Sequence, residues 1–478
     1  MKARFAIALA LFAALSVGWF QANRTSFHPT TFQYDFVAFY CASAVAQEGA
    51  DPYLTEPLRT CEHQNGHAFR AGSRLAVPAP VPGYDLAALA PLARLPFAWA
   101  SALWLLLQIA AYALTIALLV RLTKCEPWIA LAATILSDAY LSMLLGQLVP
   151  FAVLGVVAAA YGLRRERFEL LGGGLALLAL EPHLALPVYA SVLIFVPRAR
   201  IVLVGICAAL IVASLAILGP AENLEYFTAV LPAHAASEIA NQEQYSLTYL
   251  AHVVGANDAL AVRLGEFSYL FMTALGIALG AALRKRTNDL APLVLVPVAA
   301  AVFGGGFVHV QQFAVVIPFA LWLASRSRER APAISLALLA VPWGVFFALV
   351  PFAPLAALAV GFILHRLGRF SLRTALIAAG AALAILCYAE IFRPFAGPPP
   401  NYALLGTNDG ATLAETSWRF LIESGFHLAV PLYVAMKLPS WFAIARVLIE
   451  GGRIAGWRAT TSREFAQLPG ASPQAGRT

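Results

Sequence analysis

Apolar residues run in long unbroken blocks along this chain, and short clusters of Arg, Lys, Pro and Gly separate them. Blocks of that kind predict helices in a bilayer, where each segment must satisfy its own backbone hydrogen bonds. Spans are expected at 5–20, 97–120, 127–144, 149–163, 168–181, 183–197, 201–219, 265–283, 290–304, 310–325, 331–349, 351–366, 372–391 and 425–445. Several are shorter than the ~20 residues of a perpendicular crossing, so the count is about 11–14. Short blocks meeting at Pro150 and Pro182 predict broken or re-entrant helices around a cavity. The expected fold class is an all-α polytopic membrane protein, with a membrane body over residues 1–450 and a basic, disordered cytoplasmic tail over 451–478.

Composition agrees, since 60% of the 478 residues are hydrophobic and only 12% are charged, too few for a soluble chain of this length. Residues 5–20 follow Lys2 and Arg4 like a signal peptide, but no small-x-small cleavage site follows, so an uncleaved first helix is expected. The net charge of +7 does not point to nucleic acid, because it falls in short loops. Basic groups recur at Arg121/Lys124, Arg164/Arg165/Arg167, Arg198/Arg200, Arg284/Lys285/Arg286, Arg326/Arg328/Arg330 and Arg366/Arg369/Arg373. Assigning these loops to the cytoplasm places both termini inside and leaves three long segments, 21–96, 220–264 and 392–424, outside. Cys41 and Cys61 share the first of these; they either form a disulfide or leave Cys41 as a buried helix residue.

On this topology the unusual polar residues gather at the outer face. The stretch Tyr34-Asp35-Phe36-Val37-Ala38-Phe39-Tyr40 sets a carboxylate among aromatics, where it suits a general base but equally a helix N-cap or surface acid. Asp51-Pro52-Tyr53 reads as a binding element or simply as a turn. Gln147, after Gly146, and His183, in Glu181-Pro182-His183, are site candidates or polar hairpin tips. Asn241, Gln242 and Ser246 suit sugar hydroxyls or a surface helix cap, while His309 and Gln311 alternate as in an extended segment that faces either a site or water. Asp138, inside a predicted span, reads as a packing or water-facing acid. His63 and His67 form only a lone pair, so no metal set is identified, no cofactor is expected, and a divalent cation stays compatible. With no P-loop, GxSxG or Rossmann glycine pattern, a nucleotide-driven pump is disfavoured.

Tyr34-Asp35-Phe36-x-x-Phe39-Tyr40-x-Ala42 followed by Gly49-x-Asp51-Pro52-Tyr53 resembles the opening signature of glycosyltransferase family 87. Ala90-Pro91-Leu92-x-x-Leu95-Pro96, Gly146-Gln147, and Asn241-Gln242 with Ser246-Leu247 follow in family order. The resemblance implies a C-type membrane glycosyltransferase that moves a sugar, mannose or a related hexose or pentose, from a polyprenyl-phosphate donor. The acceptor would be a lipid or glycan at the outer face of the cytoplasmic membrane, in the cell envelope, and the transfer would invert the anomeric centre. Asp35 matches the family's base, and Tyr34, Tyr40, Asp51, Tyr53, Gln147, His183, Asn241, Gln242, Ser246, His309 and Gln311 become its expected substrate contacts. Family members commonly carry Lys-Pro where this chain has Glu181-Pro182, and Tyr-Pro-Pro where it has Val81-Pro82-Gly83-Tyr84. A cation for the donor phosphate is therefore expected from His183, Arg70, Arg74 or Arg94. The alternatives are a transporter or flippase of a lipid-linked intermediate and a non-catalytic scaffold descended from such transferases. A polar set at one face, with no internal repeat, favours the enzyme over the transporter.

Overall fold

The computed structural model describes residues 33–65, 76–135, 139–239, 244–341, 343, 353–392 and 430–456, together with Ala14 and Val17. The first helices are α1 (Tyr34–Gln47), α2 (Thr55–Asn65), α3 (Gly83–Ala93), α4 (Phe97–Thr123), α5 (Pro127–Ile135), α6 (Ala139–Leu145) and α7 (Val149–Arg164). They are followed by α8 (Phe168–Leu178), α9 (Pro182–Phe195), α10 (Arg200–Glu225), α11 (Leu231–Glu238), α12 (Leu247–Val253) and α13 (Asp258–Thr287). The remainder are α14 (Pro292–Gly304), α15 (Ile317–Arg326), α16 (Ala331–Leu339), α17 (Ala353–Arg366), α18 (Leu372–Phe392) and α19 (Val430–Ala455). A π-helical turn, Tyr226–Val230, joins α10 to α11, and a 3-10 turn, Val310–Val316, leads into α15. Among the described residues extended backbone pairs only where Gln244 bridges His309.

Three helical runs, Phe97–Thr123, Pro197–Ala236 and Asp258–Thr287, are long and apolar enough to cross a membrane, and shorter apolar helices pack with them. Trp99, Ile201, Val212 and Phe267 on these runs are exposed, which suits lipid tails rather than water. By contrast α14 is buried on nearly every side, as a helix apolar all round should be at the centre of a bundle. The protein is an all-α polytopic membrane protein.

Most expected spans match helices, with local differences that have local causes. The block 127–144 is two helices, α5 and α6; Asp138, between them, lies outside the described residues. The block 201–219 continues as α10 to Glu225, with a kink where Gly219 takes φ 72° before Pro220. The segment 220–264 is largely helical, running through the end of α10, the π turn, α11, α12 and the start of α13. Residues 393–429 and 457–478, nearly all of the third long segment and most of the tail, lie outside the described residues, while the first residues of the expected tail continue α19 to Ala455.

The connections that carry the basic clusters meet one another. Arg164 bonds Asp289 and the carbonyl of Leu122, Arg326 bonds Asp289, Arg284 bonds the carbonyl of Phe195, and Arg366 pairs with Glu126. The loops after α4, α7, α9, α13, α15 and α17 therefore lie at one end of the bundle, as the alternating pattern of Lys and Arg requires. Within the bundle α7 and α8 approach closely along a glycine seam. A Cβ built on Gly155 would stand 2.6 Å from the amide nitrogen of Leu178, so only glycine fits that crossing.

Cys41 and Cys61 form a disulfide with their Cα atoms 5.7 Å apart, which resolves the two sequence alternatives in favour of the bond. It joins α1 to α2 across 20 residues, a loop whose closure stabilises the fold by roughly 3 kcal/mol in the chain-entropy account. Replacing both cysteines by serine is expected to lower the unfolding midpoint of the purified protein. Reductant should lower the wild-type midpoint by a similar amount and leave that of the double variant unchanged; a wild-type midpoint indifferent to reductant would contradict this role.

Candidate active site

The first turn of α1 places Asp35, and its surroundings hold that turn from three sides. The residue before the helix, Gln33, is buried in the left-handed region with φ 55°. Its N–H donates to the carbonyl of Leu144 at 2.6 Å, and its side-chain amide donates to the carbonyl of Ser101 at 3.1 Å while the Ser101 hydroxyl donates back. Phe36, fully buried, stacks on Trp104 with ring centroids 5.0 Å apart. Trp104 in turn donates its indole N–H to the carbonyl of Gly146 at 2.9 Å, and Gln108 donates to the carbonyl of Gln147 at 2.8 Å.

This scaffold delivers one polar contact. Gln147 Nε2 donates to Asp35 Oδ2, so two residues 112 positions apart meet in a half-buried pair. Gly146 lets the turn come that close: it sits at φ 79°, and a Cβ there would lie 2.6 Å from Cβ of Phe36. A carboxylate that accepts a fixed amide proton is held in one orientation, and a held carboxylate suits a general base.

A second polar group lies around the turn between α8 and α9. Gln312 donates to Glu181 at 3.0 Å, and Nδ1 of His183 lies 3.8 Å from the same carboxylate. Tyr269 donates to the backbone carbonyl of His183 at 2.6 Å. His309 faces Glu238 at 3.3 Å, and Gln244 donates to Glu238 at 2.5 Å. Lys437, fully buried on α19, donates to the carbonyl of Gln244 and lies 3.8 Å from the ring centroid of Tyr249. Leu180, beside Glu181, and Phe151 pack against the apolar cluster that contains Phe36.

Other expected site residues take structural positions. Tyr40 is buried and donates to the carbonyl of Leu95 at 2.8 Å, and Tyr53 donates to the carbonyl of Val81 at 2.9 Å. Asp51 accepts from the N–H of Tyr53, closing the turn that was the alternative reading of Asp51-Pro52-Tyr53. Ser246 caps α12 by accepting from the N–H of Tyr249. Gln311 is buried in the 3-10 turn, beside the Gln312 that reaches Glu181. Arg94 is exposed and donates to Gln47 at 2.9 Å. Arg70, Arg74, Asn241, Gln242 and His67 lie outside the described residues, as does the side chain of Tyr34. The sequence reading missed Gln33, Trp104, Gln108, Gln244, Glu238, Asp85 and Lys437; a lone amide or charge inside an apolar block was the available signal for most of them. Among the described residues no three His, Cys, Asp or Glu groups are placed to hold a metal ion.

A bundle of apolar helices that brings carboxylates, amides and histidines together away from its basic end defines a membrane protein with a polar cluster in its helical body. The sequence model of glycosyltransferase family 87 matches residues 84–341, more than half of the chain, and the chain belongs to that family. It is a membrane glycosyltransferase, with a sugar donor and an acceptor as substrates. The match takes in Gln147, Glu181, His183 and His309 and begins after the helix that carries Asp35. No curated protein and no solved structure matches the chain.

Proposed function

We propose that the protein transfers a sugar from a polyprenyl-phosphate donor to a lipid or glycan acceptor, with inversion and with Asp35 as general base. The observation that carries this reading is the Gln147–Asp35 contact, which ties the carboxylate of α1 to a turn inside the family match. The acceptor hydroxyl loses its proton to Asp35 as its oxygen forms a bond to the anomeric carbon. The bond from that carbon to the phosphate oxygen breaks, and polyprenyl phosphate leaves with the electron pair. Because the basic loops share one end of the bundle, the charge rule assigns that end to the cytoplasm and Asp35 to the outer face of the inner membrane. The disulfide supports the same assignment, since such bonds persist in oxidising compartments.

Arg94, already paired with Gln47, and His183, beside the Glu181 carboxyl, are the described residues from the expected phosphate set. The test is reconstitution of the purified protein in liposomes with radiolabelled polyprenyl-phosphate mannose and a membrane lipid extract. Transfer predicts a labelled product and released polyprenyl phosphate in equal amounts. A donor that changes leaflet with its sugar still attached would identify a flippase instead.

A further inference from the structure

Asp85 lies in the first turn of α3, fully buried, and neither of its carboxyl oxygens has a hydrogen-bond partner. An unpartnered carboxyl in a protein interior is expensive, and both oxygens here await a donor. Glu181, a second buried carboxyl, interacts electrostatically with Asp85, and Tyr84, next to Asp85, reaches the carbonyl of Ala179, two residues before Glu181. Beside Glu181, Nε2 of His183 is also buried without a partner.

Three tyrosines complete the surroundings, each close enough to interact electrostatically with Asp85: Tyr53, Tyr84 and Tyr226. Tyr53 gives its proton to the carbonyl of Val81 at 2.9 Å, Tyr84 to that of Ala179 at 3.1 Å, and Tyr226 to that of Pro80 at 3.4 Å. With those protons committed to backbone, the hydroxyl oxygens offer lone pairs only. Two carboxyls and three phenol oxygens thus make an acceptor-rich surface, with the imidazole of His183 at its Glu181 edge. Asp51, Glu222 and Glu225 extend the same sign outward, interacting with one another and, through Tyr53, with the buried pair.

Such a surface rejects phosphate, which is itself an anionic acceptor. A neutral sugar hydroxyl can donate one hydrogen bond and leaves the Asp85 carboxyl in the neutral form that burial favours, whereas a primary ammonium brings three donors and a positive charge that favours the ionised form. A metal ion is not favoured by the placement of the acids and histidines.

We propose that Asp85 and Glu181 form a subsite for a primary ammonium group carried by an amino sugar, on either the donor or the acceptor. The proposal rests on the transferase reading and extends it to substrate choice. It also gives a reason for the acid at position 181: the side chain recognises a cation on the sugar and leaves the phosphate to other groups.

Binding is measured on the full chain in nanodiscs, in the Asp35→Asn background so that turnover does not consume the probes. The donor arm compares polyprenyl-phosphate glucosamine with polyprenyl-phosphate glucose. The acceptor arm compares octyl glucosaminide with octyl glucoside. In one arm the amino probe is expected to bind at least about tenfold tighter than its neutral partner. Asp85→Asn, which keeps the shape of the side chain, should bring that ratio close to one with the neutral sugar's affinity unchanged, and Glu181→Gln should act in the same direction. Equal affinity for amino and neutral probes in both arms of the Asp35→Asn comparison overturns the proposal without requiring any substitution at the subsite. Amino preference that survives both subsite variants overturns it as well. Sugar transfer by Asp35→Asn protein would instead refute the assigned base, a separate result read from product rather than binding.

Discussion

Asp35→Asn should lower sugar transfer by about 10²–10⁴-fold, the usual worth of a positioned general base. The substitution preserves size and leaves an oxygen that can still accept from Gln147 Nε2, so the turn held by Gln33, Phe36 and Trp104 is retained. What disappears is the ability to take a proton from the acceptor hydroxyl. Expression, membrane insertion and the unfolding midpoint should match wild type, so the loss appears in product formation alone. A reconstituted Asp35→Asn protein that transfers sugar at the wild-type rate would end the assignment of Asp35 as the base.

The second large effect is expected at the opposite end of the bundle, on stability. Asp289 is 8% exposed and accepts from Arg164 Nε at 2.8 Å, Arg326 Nη2 at 2.9 Å, the indole of Trp322 at 3.0 Å and the N–H of Ala291 at 3.0 Å. Asp289→Ala leaves two largely buried guanidinium groups facing each other without their shared carboxylate. Breaking such a pair from one side costs about 3–5 kcal/mol, which equilibrium unfolding in mixed micelles would register; a change near zero would show the cluster to be decorative. Burial alone would raise the Asp289 carboxyl, but the hydrogen bond and charge of Arg164, with Ala291 N–H and Arg326, hold it below the usual carboxylate range. A depressed carboxylate contributes stability that is fully present above its unfolded pKa and is lost as pH falls through its folded value. Acid should therefore destabilise wild type more than Asp289→Ala.

Much of this architecture was legible because a bilayer imposes a coarse code. Long apolar blocks gave the helices, and the recurrence of Arg and Lys grouped the loops that Arg164, Asp289 and Arg326 draw together. The meeting of Asp35 with Gln147 was legible only as membership of one face, since nothing local fixes a contact across 112 residues. Residues that set the geometry were harder to read. Gln33 stands in an unremarkable Phe-Gln-Tyr context, yet its left-handed backbone and two side-chain bonds fix the start of α1. Tyr40 and Tyr53 brace backbone carbonyls, a role no local pattern signals, because a buried phenol must place its proton somewhere. Asp85, in Gly83-Tyr84-Asp85, has the sequence of an ordinary helix start, and only its burial sets it apart.

The brevity of α8 has a consequence for the surrounding lipid. Eleven residues at 1.5 Å each rise only about 16 Å, roughly half the thickness of a hydrocarbon core. α9, with 14 residues, reaches about 21 Å. If the basic end of this hairpin rests at one interface, its tip at Glu181 stops well short of the other. The acyl chains beside it must either shorten the path by local thinning or give way to the neighbouring helices. The hairpin tip then lies below the level of the head groups on that side, and the hydrophobic mismatch is expected to make the protein's activity sensitive to the acyl-chain length of the bilayer that holds it.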